Sequence, residues 1–146
     1  MSEAPSPEQQ VVLEWLQSAL EDIRVARRCM AEPPAIRALF FHVQQAAEKA
    51  LKAYLVGLGH ADFPRTHLLR DLAARIVEHG GVAPQESSIA FLDTYTVGVR
   101  YPDSYTPPAE VADKAIQHAV QVIQRVLDQL GLPGPDESEA QTKLQW

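Results

Sequence analysis

The sequence predicts an all-α fold, an up-and-down antiparallel bundle of four main helices plus a short one, and three observations lead there. Apolar residues recur at steps of three and four through most of the chain, which lays them along one side of successive helices. Prolines and glycines interrupt that periodicity at regular places, and no segment shows the strict alternation of a half-buried strand. Long amphipathic helices joined by short connectors can bury their stripes only against one another.

The first helix starts at Ser6-Pro7-Glu8-Gln9, a capping box with Ser6 as N-cap and Pro7 at the first helical position. Val12, Leu16, Ala19, Ile23, Ala26 and Met30 form its stripe, and Pro33-Pro34 ends it. A second helix spans about residues 35–58, with Phe40, Val43, Ala47, Leu51, Tyr54 and Leu58 inward and Gly57 and Gly59 closing it. Thr66 is the expected cap of a third helix that runs to about Glu78, buries Leu69, Leu72, Ala73 and Ile76, and stops at Gly80-Gly81. A shorter fourth helix covers about Gln85 to Tyr95. The last is expected to begin with Thr106 as cap and Pro107 at its first position, carrying Ala112, Ala115, Ala119, Val122 and Val126 up to Gly131. Residues 1–132 therefore read as a single domain. The stretch 133–146, with its proline, glycine and acidic residues and no apolar stripe, reads as a flexible acidic tail.

Composition narrows the function. With 46% hydrophobic and 22% charged residues the chain is ordinary for a globular protein, and no apolar run reaches the roughly 20 residues of a membrane span. The acidic, proline-bearing start MSEAPSPEQQ has no resemblance to a secretory signal, so the expected location is cytoplasmic. Cys29 is the single cysteine, which excludes an internal disulfide and a cysteine-based zinc cluster. The five histidines show no close ligand spacing, so neither a metal nor a cofactor is expected. A net charge of -6 argues against a globally basic nucleic-acid surface. The cations are nevertheless concentrated in the middle, where Lys49, Lys52, Arg65, Arg70 and Arg75 face only Asp62 and Asp71.

Three stretches have residues suited to chemistry. On the second helix His42, Gln45, Lys49 and Lys52 step by three and four and so share a face, with Glu48 placed to pair with Lys52. That face is either a solvated surface or a cationic strip for phosphate. At the start of the third helix Arg65-Thr66-His67 stands where unpaired N–H groups and a partial positive charge favour an anion, or where Thr66 simply caps the helix. Between the fourth and fifth helices Arg100, Tyr101, Pro102, Asp103 and Tyr105 crowd one connector. Helix punctuation explains its prolines, but not its arginine and two tyrosines.

Taken together, "FFHVQQAAEKALKAYLVGLG", "FPRTHLLRDL" and "VGVRYPD" resemble the HEPN domain family, through the HxxQAAEKxLKA run, the THxLxxL helix start and the RYPD connector. The resemblance covers roughly residues 8–130. It implies a helical bundle that commonly forms a homodimer with a cleft between protomers, and, for small prokaryotic members, a minimal nucleotidyltransferase as partner. Some members are metal-independent ribonucleases of the toxin type, whose motif is an arginine followed by a histidine after four to six residues. The arginine there holds the scissile phosphate and the histidine moves the proton.

The sequence departs from that motif. From Arg100, four intervening residues lead to Tyr105 and six lead to Pro107, with no histidine before His118. A phenol titrates near about 10 and an imidazole near about 6.5, so Tyr105 is a poor substitute as general base. The expectation is thus a non-catalytic, homodimeric nucleotide- or RNA-binding module, with Lys49, Lys52, Arg65, Thr66, His67, Arg100, Tyr101 and Asp103 as phosphate-site candidates. The alternatives are a ribonuclease with a variant site using Arg100 with Tyr105 or His67, and a dimerisation module without a ligand.

Overall fold

The structure is a computed structural model, and it describes residues 3–98 and 105–133. Five helices follow one another with no strand among the described residues: α1 (Pro7–Arg28), α2 (Ile36–Gly57), α3 (Leu69–Glu78), α4 (Glu86–Gly98) and α5 (Ala109–Leu130). The all-α bundle expected from periodicity is what forms. Its length distribution is three helices of 22 residues with two shorter ones of 10 and 13.

At α1 the capping box forms in full, with Gln9 N–H donating to Ser6 Oγ at 3.1 Å and Ser6 N–H to Gln9 Oε1 at 2.8 Å. The stripe Val12, Leu16, Ala19, Ile23 and Ala26 is buried as its spacing requires. α2 is the central element and packs against all four others. Its burial goes well beyond one stripe, since Leu39, Ala46, Ala50, Ala53 and Leu55 are inaccessible too. At the far end α5 stops on Gly131, whose φ of 70° is the left-handed conformation that favours glycine there.

Two helix starts differ from the sequence expectation. α5 begins at Ala109 with Pro108 at the cap, rather than at Thr106-Pro107. The reason is local: Pro107 itself precedes a proline, and the Pro108 ring drives it out of the helical region. α3 begins at Leu69, with Leu68 at the cap and no side-chain bond from Thr66 to the expected position. The Thr66 hydroxyl is used in a tighter turn, accepting from Leu68 N–H at 3.0 Å and donating to Asp71 Oδ2 at 2.6 Å.

Contacts along α2 fix the direction of the other elements. Val12 at the start of α1 and Leu130 at the end of α5 both lie against Gly57, so α1 runs opposite to α2 and α5 runs with it. The carbonyl of His67 meets Gln44, while Val82 N–H reaches Tyr54 Oη at 3.1 Å, so α3 also runs with α2. Residues 58–68 therefore travel back along α2 before α3 begins. That return segment lays Phe63 against Trp15 of α1 and brings His67 beside the middle of α2.

Candidate functional site

The polar side of α2 lies between α1 and the return segment, and its residues are partnered and only partly exposed. Asp22, in the middle of α1, is 8% exposed and takes two partners from α2. His42 Nδ1 sits 2.8 Å from its Oδ1 and Lys49 Nζ 2.7 Å from its Oδ2. An ionised carboxylate only accepts, so the imidazole donates from Nδ1 and its Nε2 faces away from Asp22. Next to Lys49 in the chain, Glu48 is 7% exposed and pairs with Lys52 at 3.8 Å, the pair expected from the spacing. The Lys52 ammonium also lies over two ring faces, 5.5 Å from the centroid of Trp15 and 5.3 Å from that of Phe63.

A chain of amides links this face to the third helix. Gln45 Nε2 donates to Gln44 Oε1 at 3.2 Å and to Glu48 Oε2 at 3.4 Å, and Gln44 Nε2 donates to the His67 carbonyl at 3.0 Å. His42, Gln45, Lys49 and Lys52 thus share a face as the sequence indicates. The two lysines on it have carboxylate partners, and the strip is electrically balanced rather than cationic.

The mouth of α3 is organised by a residue the sequence reading did not single out. Asp93 of α4, 8% exposed, accepts from Leu69 N–H at 2.8 Å and from Arg70 N–H at 3.1 Å. A carboxylate from another helix thereby occupies the first two amides of α3, where a bound anion would otherwise sit. Arg65, His67 and Arg70 surround this capped end with exposed side chains, and Thr66 is half-buried in its turn. Five residues beyond Asp93, α4 ends at Gly98. Arg100, Tyr101 and Asp103 fall outside the described residues, so the connector enters only through its two ends. Tyr105, at the second of these, is 71% exposed.

Asp22 and Asp93 each had a signal in the chain. Asp22 lies three residues after Ala19 and four before Ala26, on the edge of the apolar stripe, where a carboxylate must find a partner. Asp93 follows Ile89 by four and Leu92 by one, in the same position on its own helix. Among the described residues no three His, Cys, Asp or Glu converge in a way that would hold a metal, and no helix is long and apolar enough to cross a membrane.

The chain that folds into this five-helix bundle has a family counterpart. The HEPN domain model matches residues 12–130. The chain belongs to the HEPN family. A solved structure described as an archaeal HEPN homologue is 26% identical and superposes with a TM-score of 0.58, over 82% of this chain and 97% of its own. No curated protein matches the chain. In this HEPN protein the family-like HxxQAAEK run supplies the inter-helix ties His42–Asp22 and Lys49–Asp22. The THxLxxL run supplies the turn into α3.

Proposed function

We propose that this HEPN protein is a non-catalytic binding module for nucleotide or RNA phosphate, acting as a homodimer, with Arg100, Arg65 and His67 as the principal phosphate contacts. The observation that carries the reading is where free positive charge lies. Lys49 and Lys52 are matched by Asp22 and Glu48, whereas the guanidinium groups of Arg65 and Arg70 stand exposed around the start of α3, with the exposed His67 imidazole beside them as a further hydrogen-bonding group. α4, which caps that start through Asp93, leads within five residues to its end and then into the connector that has Arg100. Arginine suits this role because its planar fork meets phosphate oxygens in pairs. Thr66, in the turn into α3, and Tyr101 and Asp103, neighbours of Arg100 in the sequence, are the further candidates for the site, with Lys49 and Lys52 as secondary ones.

Absence of a histidine at the motif spacing after Arg100 favours holding a phosphate over cleaving beside it. The homodimer is supported by Phe41 and Tyr105, aromatic side chains 61% and 71% exposed, since exposed aromatics are frequent interface anchors. A minimal nucleotidyltransferase is the partner that family membership suggests, and co-purification with one on joint expression is its test. For the binding reading, the test is calorimetry with ATP, GTP and a short single-stranded RNA. Binding that is lost on Arg100→Ala, with helicity unchanged, is expected. No binding, or equal binding by the variant, overturns the site.

A further inference from the structure

A polar concavity lies in the groove between the start of α4 and the second half of α5. It has a volume of about 190 Å³, smaller than the roughly 300–1,000 Å³ of clefts for drug-sized ligands. Ser88 at its base is 1% exposed, yet its hydroxyl is fully used. It donates to Gln121 Oε1 at 3.0 Å and sits 2.9 Å from His118 Nδ1. Because the hydroxyl has one proton and gives it to Gln121, His118 must donate to Ser88 from Nδ1. The His118 ring is itself stacked on Phe91, with centroids 4.4 Å apart. This relay consumes the Gln121 carbonyl and leaves its amide N–H groups for the groove.

Two opposite charges line the same cavity, Arg125 and Asp128, three residues apart on α5. Both are exposed, and among the described residues neither forms an ion pair. Gln85 and Gln124 add amides that both donate and accept. An exposed guanidinium and an exposed carboxylate three residues apart, neither engaged in an ion pair, with an N–H donor beside them, match one base in particular. Guanine offers O6 and N7 as acceptors to an arginine, and its N1–H and N2–H groups as donors to a carboxylate. Adenine presents a donor where O6 stands and has no N1–H, so the same set meets it with one mismatch at each charge.

We infer that this groove is a guanine-binding pocket, with Arg125 on O6 and N7, Asp128 on N1 and N2, and Gln121 held in place by Ser88. Ser88 faces His118 and Gln121 of α5, whereas Asp93, five residues further along α4, faces the start of α3, so the pocket and the mouth of α3 lie on different sides of α4. The test titrates guanosine and adenosine, which have no phosphate, into the full chain, with binding read by NMR shifts of the α4 and α5 amides. Guanosine is expected to bind at least about tenfold more tightly than adenosine, and Asp128→Asn to remove about that factor. Arg125→Ala is expected to weaken guanosine similarly. Both α5 side chains are exposed, so the helical spectrum of these variants should match that of the wild type. The proposal is overturned by absence of guanosine binding up to its solubility limit, by equal affinity for adenosine, or by indifference to Asp128→Asn.

Discussion

Replacing Asp22 by asparagine separates a structural carboxylate from a surface one, because shape is retained and only the charge is lost. In the folded protein this carboxylate is 8% exposed and meets His42 at 2.8 Å and Lys49 at 2.7 Å, with side-chain exposures of 28% and 23% on those partners. Removing one member of a fully buried ion pair costs about 3–5 kcal/mol, whereas exposed pairs contribute about 0–1 kcal/mol. Lys49 keeps nearly a quarter of its side-chain surface in water, and its flexible stem lets the ammonium turn outward, so the cost falls between those two ranges. The expected loss is about 2–3 kcal/mol, or a fall of about 6–9 °C in Tm for a chain of this length. Urea unfolding followed by helical circular dichroism measures it. In the double variant Asp22→Asn with Lys49→Met most of the loss should return, since an apolar replacement of a buried pair is often neutral. A loss below about 0.5 kcal/mol for Asp22→Asn, or no recovery in the double variant, would refute the assignment.

Asp93→Ala uncaps α3 by leaving the Leu69 and Arg70 amides without their acceptor, and about 1–3 kcal/mol should be lost, with faster hydrogen exchange confined at first to α3. Gly81→Ala is expected to cost about 1–3 kcal/mol in thermal unfolding, because a Cβ there would stand 2.6 Å from Ile76 Cγ2 and 2.9 Å from Leu58 Cδ1, both within the packed end of α2 and α3. Phe41→Ala should shift a dimer toward monomer in light scattering while leaving Tm nearly unchanged, since the ring is 61% exposed in the single chain. Incubation with single-stranded RNA in the presence of chelator should leave the RNA intact, and cleavage abolished by Arg100→Ala would show that the variant site is catalytic after all.

The bundle was legible because its signal is repeated. Apolar stripes at helical spacing on α1, α2, α3 and α5 turn inward, and the capping box at Ser6 forms with both of its bonds. What escaped the sequence depends on partners far along the chain. Thr66 looks like a cap when α3 is read alone, but the capping carboxylate arrives from Asp93, 24 positions after Leu69. The direction of α3 depends on a return segment whose course is set by Phe63 packing on Trp15 and by Gln44 holding the His67 carbonyl, and neither contact has a local signature.

The polar face of α2 shows the same limit from the other side. Spacing placed His42, Gln45, Lys49 and Lys52 together, and correctly paired Glu48 with Lys52. It gave no reason to expect Asp22 across the helix interface, which changes that face from a positive strip into a neutral tie between helices. Among the stretches singled out for phosphate, the positive charge left for a ligand is then that of Arg65 and Arg70 around the start of α3 and of Arg100 in the connector.

The salt dependence of RNA binding tests that conclusion most directly. For single-stranded RNA, log K should fall linearly with log salt, with a slope of about -0.7 for each phosphate neutralised. If Arg100 contacts phosphate, Arg100→Ala will weaken binding evenly across sequences and flatten the slope by about 0.7, and a charge-removing change at Arg65 will flatten it further. A slope identical to that of the wild type in both variants would contradict the account.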